Sequence, residues 1–184
     1  TQHAARHAHH ASLATHEPRA LAAARDHLDR GRTADAISVL RALLATIDAQ
    51  RDDHGRVPAA ARPGAARARL LLARVFIHRQ DPAQALDVLT KIEESTPIED
   101  YRHWITAQAH ELAGAPMAAR KAYLSVAADA SSPMHHRARV AAAHMLFAAE
   151  RWEDAARELR RVNDLYPDYP RRHRSLHEVA IALD

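Results

Sequence analysis

Histidine is the residue type in this chain that first suggests chemistry. It occurs 15 times in 184 residues, and a neutral imidazole is a common metal ligand. His173 and His177 are four apart, a spacing that puts both on one helical face and suits zinc. His7, His9 and His10 cluster near the start, and His135 and His136 are adjacent. A zinc site needs at least a third protein ligand. Only Glu178 stands beside the His173–His177 pair, and the chain has no Cys. The expectation is solvated surface histidines, with no metal and no cofactor.

Catalytic patterns are missing in the same way. There is no phosphate-cradling Gly loop, no His-Glu-x-x-His and no Gly-x-Ser-x-Gly. The carboxylate pairs Glu93-Glu94 and Asp52-Asp53 fall near a helix end and in a loop, where they read as solvated charge. Without Cys there is no disulfide and no thiol nucleophile. The chain is expected not to be an enzyme by itself, although it would fit as part of a larger one.

The elements that carry these residues are helices. Apolar residues make up 47% of the chain and aromatics only 4%, with Ala, Leu and Arg dominant. Such side chains lose little rotamer freedom in a helix. Four Gly are too few for a turn-rich β architecture, so the fold class is all-α. Lys and Arg total 26 against 23 acids. That balance argues against a nucleic-acid partner, which would require basic residues gathered on one face. No apolar run is long enough for a membrane span. The start at Thr1 without Met reads either as a removed signal peptide or as a trimmed fragment.

Internal periodicity organises the chain. Four units open on Ala24, Ala73, Ala107 and Ala143, and twelve residues later each has Ala36, Ala85, Ala119 or Ala155. Four further on stand Leu40, Leu89, Tyr123 and Leu159, and three beyond those Leu43, Ile92, Val126 and Val162. Successive units start 49, 34 and 36 residues apart. Two antiparallel helices approach closely only where side chains are small. Each Ala pair is therefore placed at the crossing of a helix hairpin, with the larger residues one and two turns along the same face. Turns fall at Gly31, Gln80 to Pro82, Gly114 to Pro116 and Glu150 to Trp152, and Thr33 is a candidate helix cap.

With this spacing the chain resembles the tetratricopeptide repeat family, whose period is about 34 residues. Gly31-Arg-Thr-Ala-Asp-Ala-Ile37 and Arg151-Trp-Glu-Asp-Ala-Ala156 look like its turn and second-helix opening, and Pro97 and Pro167 match its unit-ending proline. The resemblance implies an α-solenoid of antiparallel hairpins wound into a right-handed superhelix. Residues 1–17 are expected to be a mobile His- and Ala-rich tail. Residues 18–184 form the repeat domain, about four hairpins with a loop over Arg51 to Gly64. A last helix near Pro170 to Leu183 serves as a cap or as the first half of a further hairpin.

Stacked hairpins line their concave side with the first helix of each unit. That projection places Arg74, His78, Tyr101, Trp104, Gln108, Arg137, His144 and Phe147 on the inner surface as partner-binding candidates. For Trp104 and Phe147, packing between hairpins is the competing reading, and Trp152 is read as local packing at a turn. The family's clamp for a terminal carboxylate uses Asn and Lys on first helices. Here the Asn is Asn163 on a second helix and the Lys are Lys91 and Lys121, so that pattern is absent. The expected function is a non-catalytic scaffold for a protein or peptide partner. A narrower resemblance rests on Pro97-Ile-Glu-Asp-Tyr-Arg-His-Trp104 and Ser131-Ser-Pro133. These look like the superhelical domain of bacterial soluble lytic transglycosylases. That likeness implies, as the alternative, an accessory arm acting on peptidoglycan, in the periplasm or cell envelope rather than the cytoplasm.

Overall fold

A computed structural model describes residues 17–52, 54–93 and 98–167. The amino-terminal tail, the His173–His177 pair and the expected last helix lie outside the described residues. Within them the protein is all-α. Helix α1 covers residues 17–29 and α2 Thr33–Asp48. A 3-10 turn at Ala59–Ala61 leads into α3 (Arg62–His78), followed by α4 (Pro82–Thr90). Then come α5 (Glu99–Leu112), α6 (Pro116–Ala128), α7 (His135–Ala148) and α8 (Trp152–Leu165). The eight described helices pair in sequence as four hairpins, and successive hairpins pack through α2 on α3, α3 and α4 on α5, and α6 on α7.

The small residues sit at the crossings. Ala24, Ala73, Ala107, Ala36, Ala85, Ala119 and Ala155 are wholly buried, and Ala143 nearly so. The larger residues that follow, from Leu40 and Leu43 through Leu159 and Val162, are buried as well. Burying such apolar area is the main term that holds a hairpin pair together.

Each hairpin closes by the same backbone device. Seven residues after the first Ala, the chain takes a left-handed conformation, at Gly31, Gln80, Gly114 and Glu150, with φ of 71°, 59°, 68° and 58°. The next N–H donates to the carbonyl five residues back: Arg32 to His27, Asp81 to Phe76, Ala115 to His110 and Arg151 to Leu146, at 2.8–2.9 Å. This bond satisfies carbonyls that a helix end leaves orphaned. Thr33 is not a cap. It is the first residue of α2, and the capping position belongs to Arg32, whose side chain makes no capping bond. Of the four equivalent positions, Asp81 is the one whose carboxylate accepts from an N–H of the helix, that of Gln84, at 3.1 Å.

The stretch expected to be an exposed loop after Arg51 is partly structural. Val57 and Ala61 are buried in the core between α2 and α3, and the helix begins at Arg62, two residues before Gly64. The Asp52 carboxylate accepts from the N–H groups of His54 and Arg56, each at 2.9 Å, which shapes the turn leading to Val57. Two apolar side chains therefore convert an insertion into a wedge.

Candidate partner-binding groove

The first helices present matching faces. On α3, Arg67, Leu70, Leu71 and Arg74 are spaced 0, 3, 4 and 7, and on α5 so are Tyr101, Trp104, Ile105 and Gln108. That spacing puts four side chains on one helical face. Both sets hold the same register to the crossing Ala, running from six before it to one after it. Together they line a groove of about 500 Å³, extended by Arg25 of α1, Ile98 and Met134. Every lining residue lies on a first helix or at its amino-terminal flank.

The floor is apolar and the edges are polar. Leu70, Leu71 and Trp104 are half-buried and Ile105 is buried, while Arg25, Arg67, Arg74 and Tyr101 are exposed. Trp104 has two roles. Its ring meets the buried Tyr123 of α6 edge-on, with centroids 5.1 Å apart, and it packs against the core on both sides. The Arg137 guanidinium lies over the same ring at 5.2 Å. Packing between hairpins and lining the groove are thus two faces of one residue.

Arg74, Tyr101, Trp104 and Gln108 are brought together in the groove, and Arg137 joins them through Trp104. His78, His144 and Phe147 do not line it. His78 is exposed at the end of α3, toward the turn. Phe147 packs against the small cluster of Ala143, Ala156 and Leu159, with His144 on one side and Trp152 on the other, at 6.4 and 5.9 Å. Trp152 is exposed at the start of α8. Arg25, Arg67, Leu70, Leu71, Ile98, Ile105 and Met134 were missed by sequence reasoning. For Arg67, Leu70 and Leu71 the signal was the Tyr101–Gln108 spacing, which recurs 34 residues earlier as Arg67–Arg74, and for Arg25 it was the position one after the crossing Ala24.

Polar contacts tie both ends of α5 to its neighbours. Ser132, buried before α7, donates to the Asp100 carboxylate at 2.8 Å and accepts from the Met134 N–H at 3.2 Å. At the other end of α5, the Tyr123 hydroxyl donates to Glu111 at 2.7 Å. Burial, and then Glu111, raise the Tyr123 phenol well above the ordinary 10.0.

The histidines form no metal site among the described residues. His135 and His136 stack with centroids 3.8 Å apart, and the Tyr166 hydroxyl lies 3.0 Å from His135 Nε2. Burial, then His135 and Arg139, lower His136 below the ordinary histidine range. That cluster ties the start of α7 to the end of α8. No described helix is long and apolar enough to cross a membrane.

The model of the tetratricopeptide repeat family matches residues 21–97 and 103–170, which is most of the chain. Among solved structures, the chain is similar to nearly identical TPR-like repeats attributed to a Podosopora anserina putative kinesin light chain. That crystal structure has a TM-score of 0.69 and 17% identity, over 90% of this chain and 84% of that one. A single-substitution variant of the same repeats gives a TM-score of 0.69 and 17% identity, over 95% and 86%. At this identity the likeness is one of fold. No curated protein matches the chain.

Proposed function

The chain belongs to the tetratricopeptide repeat family, and from that premise we propose that it is a non-catalytic scaffold that docks a partner polypeptide in the groove on its first helices. Repeats of this family are generally used for protein–protein interaction. The observation that supports the reading is the groove's construction. One four-residue face recurs in the same register on α3 and α5, so an apolar floor with polar edges runs across hairpins. An extended polypeptide would seat side chains on Leu70, Leu71 and Ile105, while Tyr101 and Gln108 would bond its backbone. A rigid surface of this kind loses little entropy on binding.

The accessory-arm alternative gains no support from its own residues. Asp100 and Ser132, which stand in the motifs that suggested it, meet in a hydrogen bond that joins two hairpins. Their presence has a packing explanation without any glycan.

A photo-crosslinking residue placed at position 101 tests the docking reading in cells. Tyr101 is 50% exposed on the groove edge, and Leu124, 37% exposed on α6 of the same hairpin, is the control position. A polypeptide adduct formed from position 101 and not from position 124 is expected. Adducts from position 124 alone would refute the groove. Co-sedimentation with purified peptidoglycan, abolished by Tyr101→Ser, would replace the polypeptide by a glycan.

A further inference from the structure

The groove's charge specifies its occupant, an inference that rests on the docking reading above. The rims are the outer two positions of each first-helix face, six before and one after the crossing Ala. Arg25, Arg67, Arg74 and Arg137 occupy rim positions, and no Asp or Glu does on any of the four first helices. The whole chain is nearly balanced, with 26 basic residues against 23 acidic. Four arginines without an acid on one stripe is therefore a segregation, not a reflection of composition.

Among the described residues, neighbouring carboxylates neutralise this stripe only at Arg67. Glu99 pairs with Arg102 and lies 3.4 Å from His103, and Asp100 accepts from Ser132. Glu17 reaches Arg67, at 3.5 Å. Arg25 and Arg74 have no ion-pair partner among the described residues, and both line the groove. A guanidinium is permanently charged, and its planar fork matches a carboxylate. Between these cations lies the aliphatic floor of Leu70, Leu71 and Ile105.

We propose that the occupant is an extended acidic polypeptide segment that carries an apolar side chain among its carboxylates. The arginines bind the carboxylates, the apolar side chain lies on the floor, and like-charged segments are repelled. Single-stranded nucleic acid fits this groove less well. Its sequence-tolerant binding uses free aromatic faces for base stacking, and the Trp104 ring is already engaged by Arg137 and Tyr123.

The test selects a displayed library of random short peptides on the full chain and measures the winners by fluorescence anisotropy. The expected winners combine Asp or Glu with Leu, Ile or Phe. Arg74→Glu and Arg25→Glu should each weaken them about tenfold, equivalent to roughly 1.4 kcal/mol, and raised salt should weaken them further. The thermal midpoint should not move, because both side chains are exposed and unpaired. Winners without an acidic bias, or acidic winners indifferent to Arg74→Glu, overturn the proposal. If those winners are lost with Tyr101→Ser, the docking reading survives alone. If they are not lost, or if nothing is selected, both fall. An oligothymidylate that binds as tightly as the best peptide, and is lost with Arg74→Glu, overturns the polypeptide in favour of nucleic acid.

Discussion

The first two hairpins and the last two share a backbone plan but fill it differently. Between α1 and α4 the core is aliphatic, with Leu40, Ile47, Leu72, Val75 and Leu89 buried around Phe76. Between α5 and α7 most of the buried residues are Ala, and the volume is supplied by Tyr123, Val126, Met145 and the flank of Trp104. Branched aliphatics fill space without regard to direction. An Ala-lined interface lets helices approach closely, and there a directed contact, Tyr123 to Glu111, fixes the arrangement. The hairpin needs a small residue at its crossing. What surrounds that crossing is free to be either greasy or hydrogen-bonded.

The largest test of this contrast is Leu40→Ala. Leu40 is wholly buried in the aliphatic half, and its truncation should cost about 2–5 kcal/mol in urea denaturation. A loss below about 1 kcal/mol would mean that this half relaxes around voids as an Ala-rich core does. Next comes Ala107→Leu at the crossing of α5 and α6. Here overpacking should cost roughly 1–3 kcal/mol, and an unchanged melt would show that Ala107 is not at the crossing.

The smallest effect, and the most diagnostic, is that of Tyr123→Phe. At neutral pH it should cost about 1 kcal/mol, since Glu111 is exposed and remains solvated. Its pH dependence separates the halves. The folded phenol is held above 10.0 by burial and by Glu111, so the unfolded chain releases that proton first. The contribution of Tyr123 is whole below about pH 10 and is lost as pH rises toward the folded value. Chemical denaturation across that range should show the wild type losing stability faster than Tyr123→Phe. Parallel curves would mean that the hydroxyl is not buried against Glu111.

Much of this architecture was legible in the residues. Ala24 and Ala36, and their counterparts, announce crossings because only small side chains permit them. The turns at Gly31 and Gly114 were legible because glycine favours positive φ. Gln80 and Glu150 adopt the same conformation, but nothing in either residue type signals it, and only the register does. The Asp100–Ser132 bond spans 32 residues without any periodic spacing to mark it. In the groove, Arg74, Tyr101, Trp104 and Gln108 follow from helical projection. His78 and Phe147 stand five and four residues after their crossing Ala, a turn beyond the stretch of each first helix that lines the groove. The burial of Val57 was hidden in a segment whose Gly and Pro content signals a loop.

The uniform turn has a consequence for how this chain tolerates changes in length. From Ala to Ala every hairpin counts twelve residues, whereas successive hairpins begin 49, 34 and 36 residues apart. One residue added inside a turn would rotate the second helix by about 100° and swing its buried stripe toward solvent. The same residue added at a junction changes only the path between two finished hairpins, as the wedge at Val57 and Ala61 illustrates. Insertions and deletions should therefore accumulate at junctions. The natural cassette for duplication, loss or grafting is one whole hairpin, cut where the count is loose.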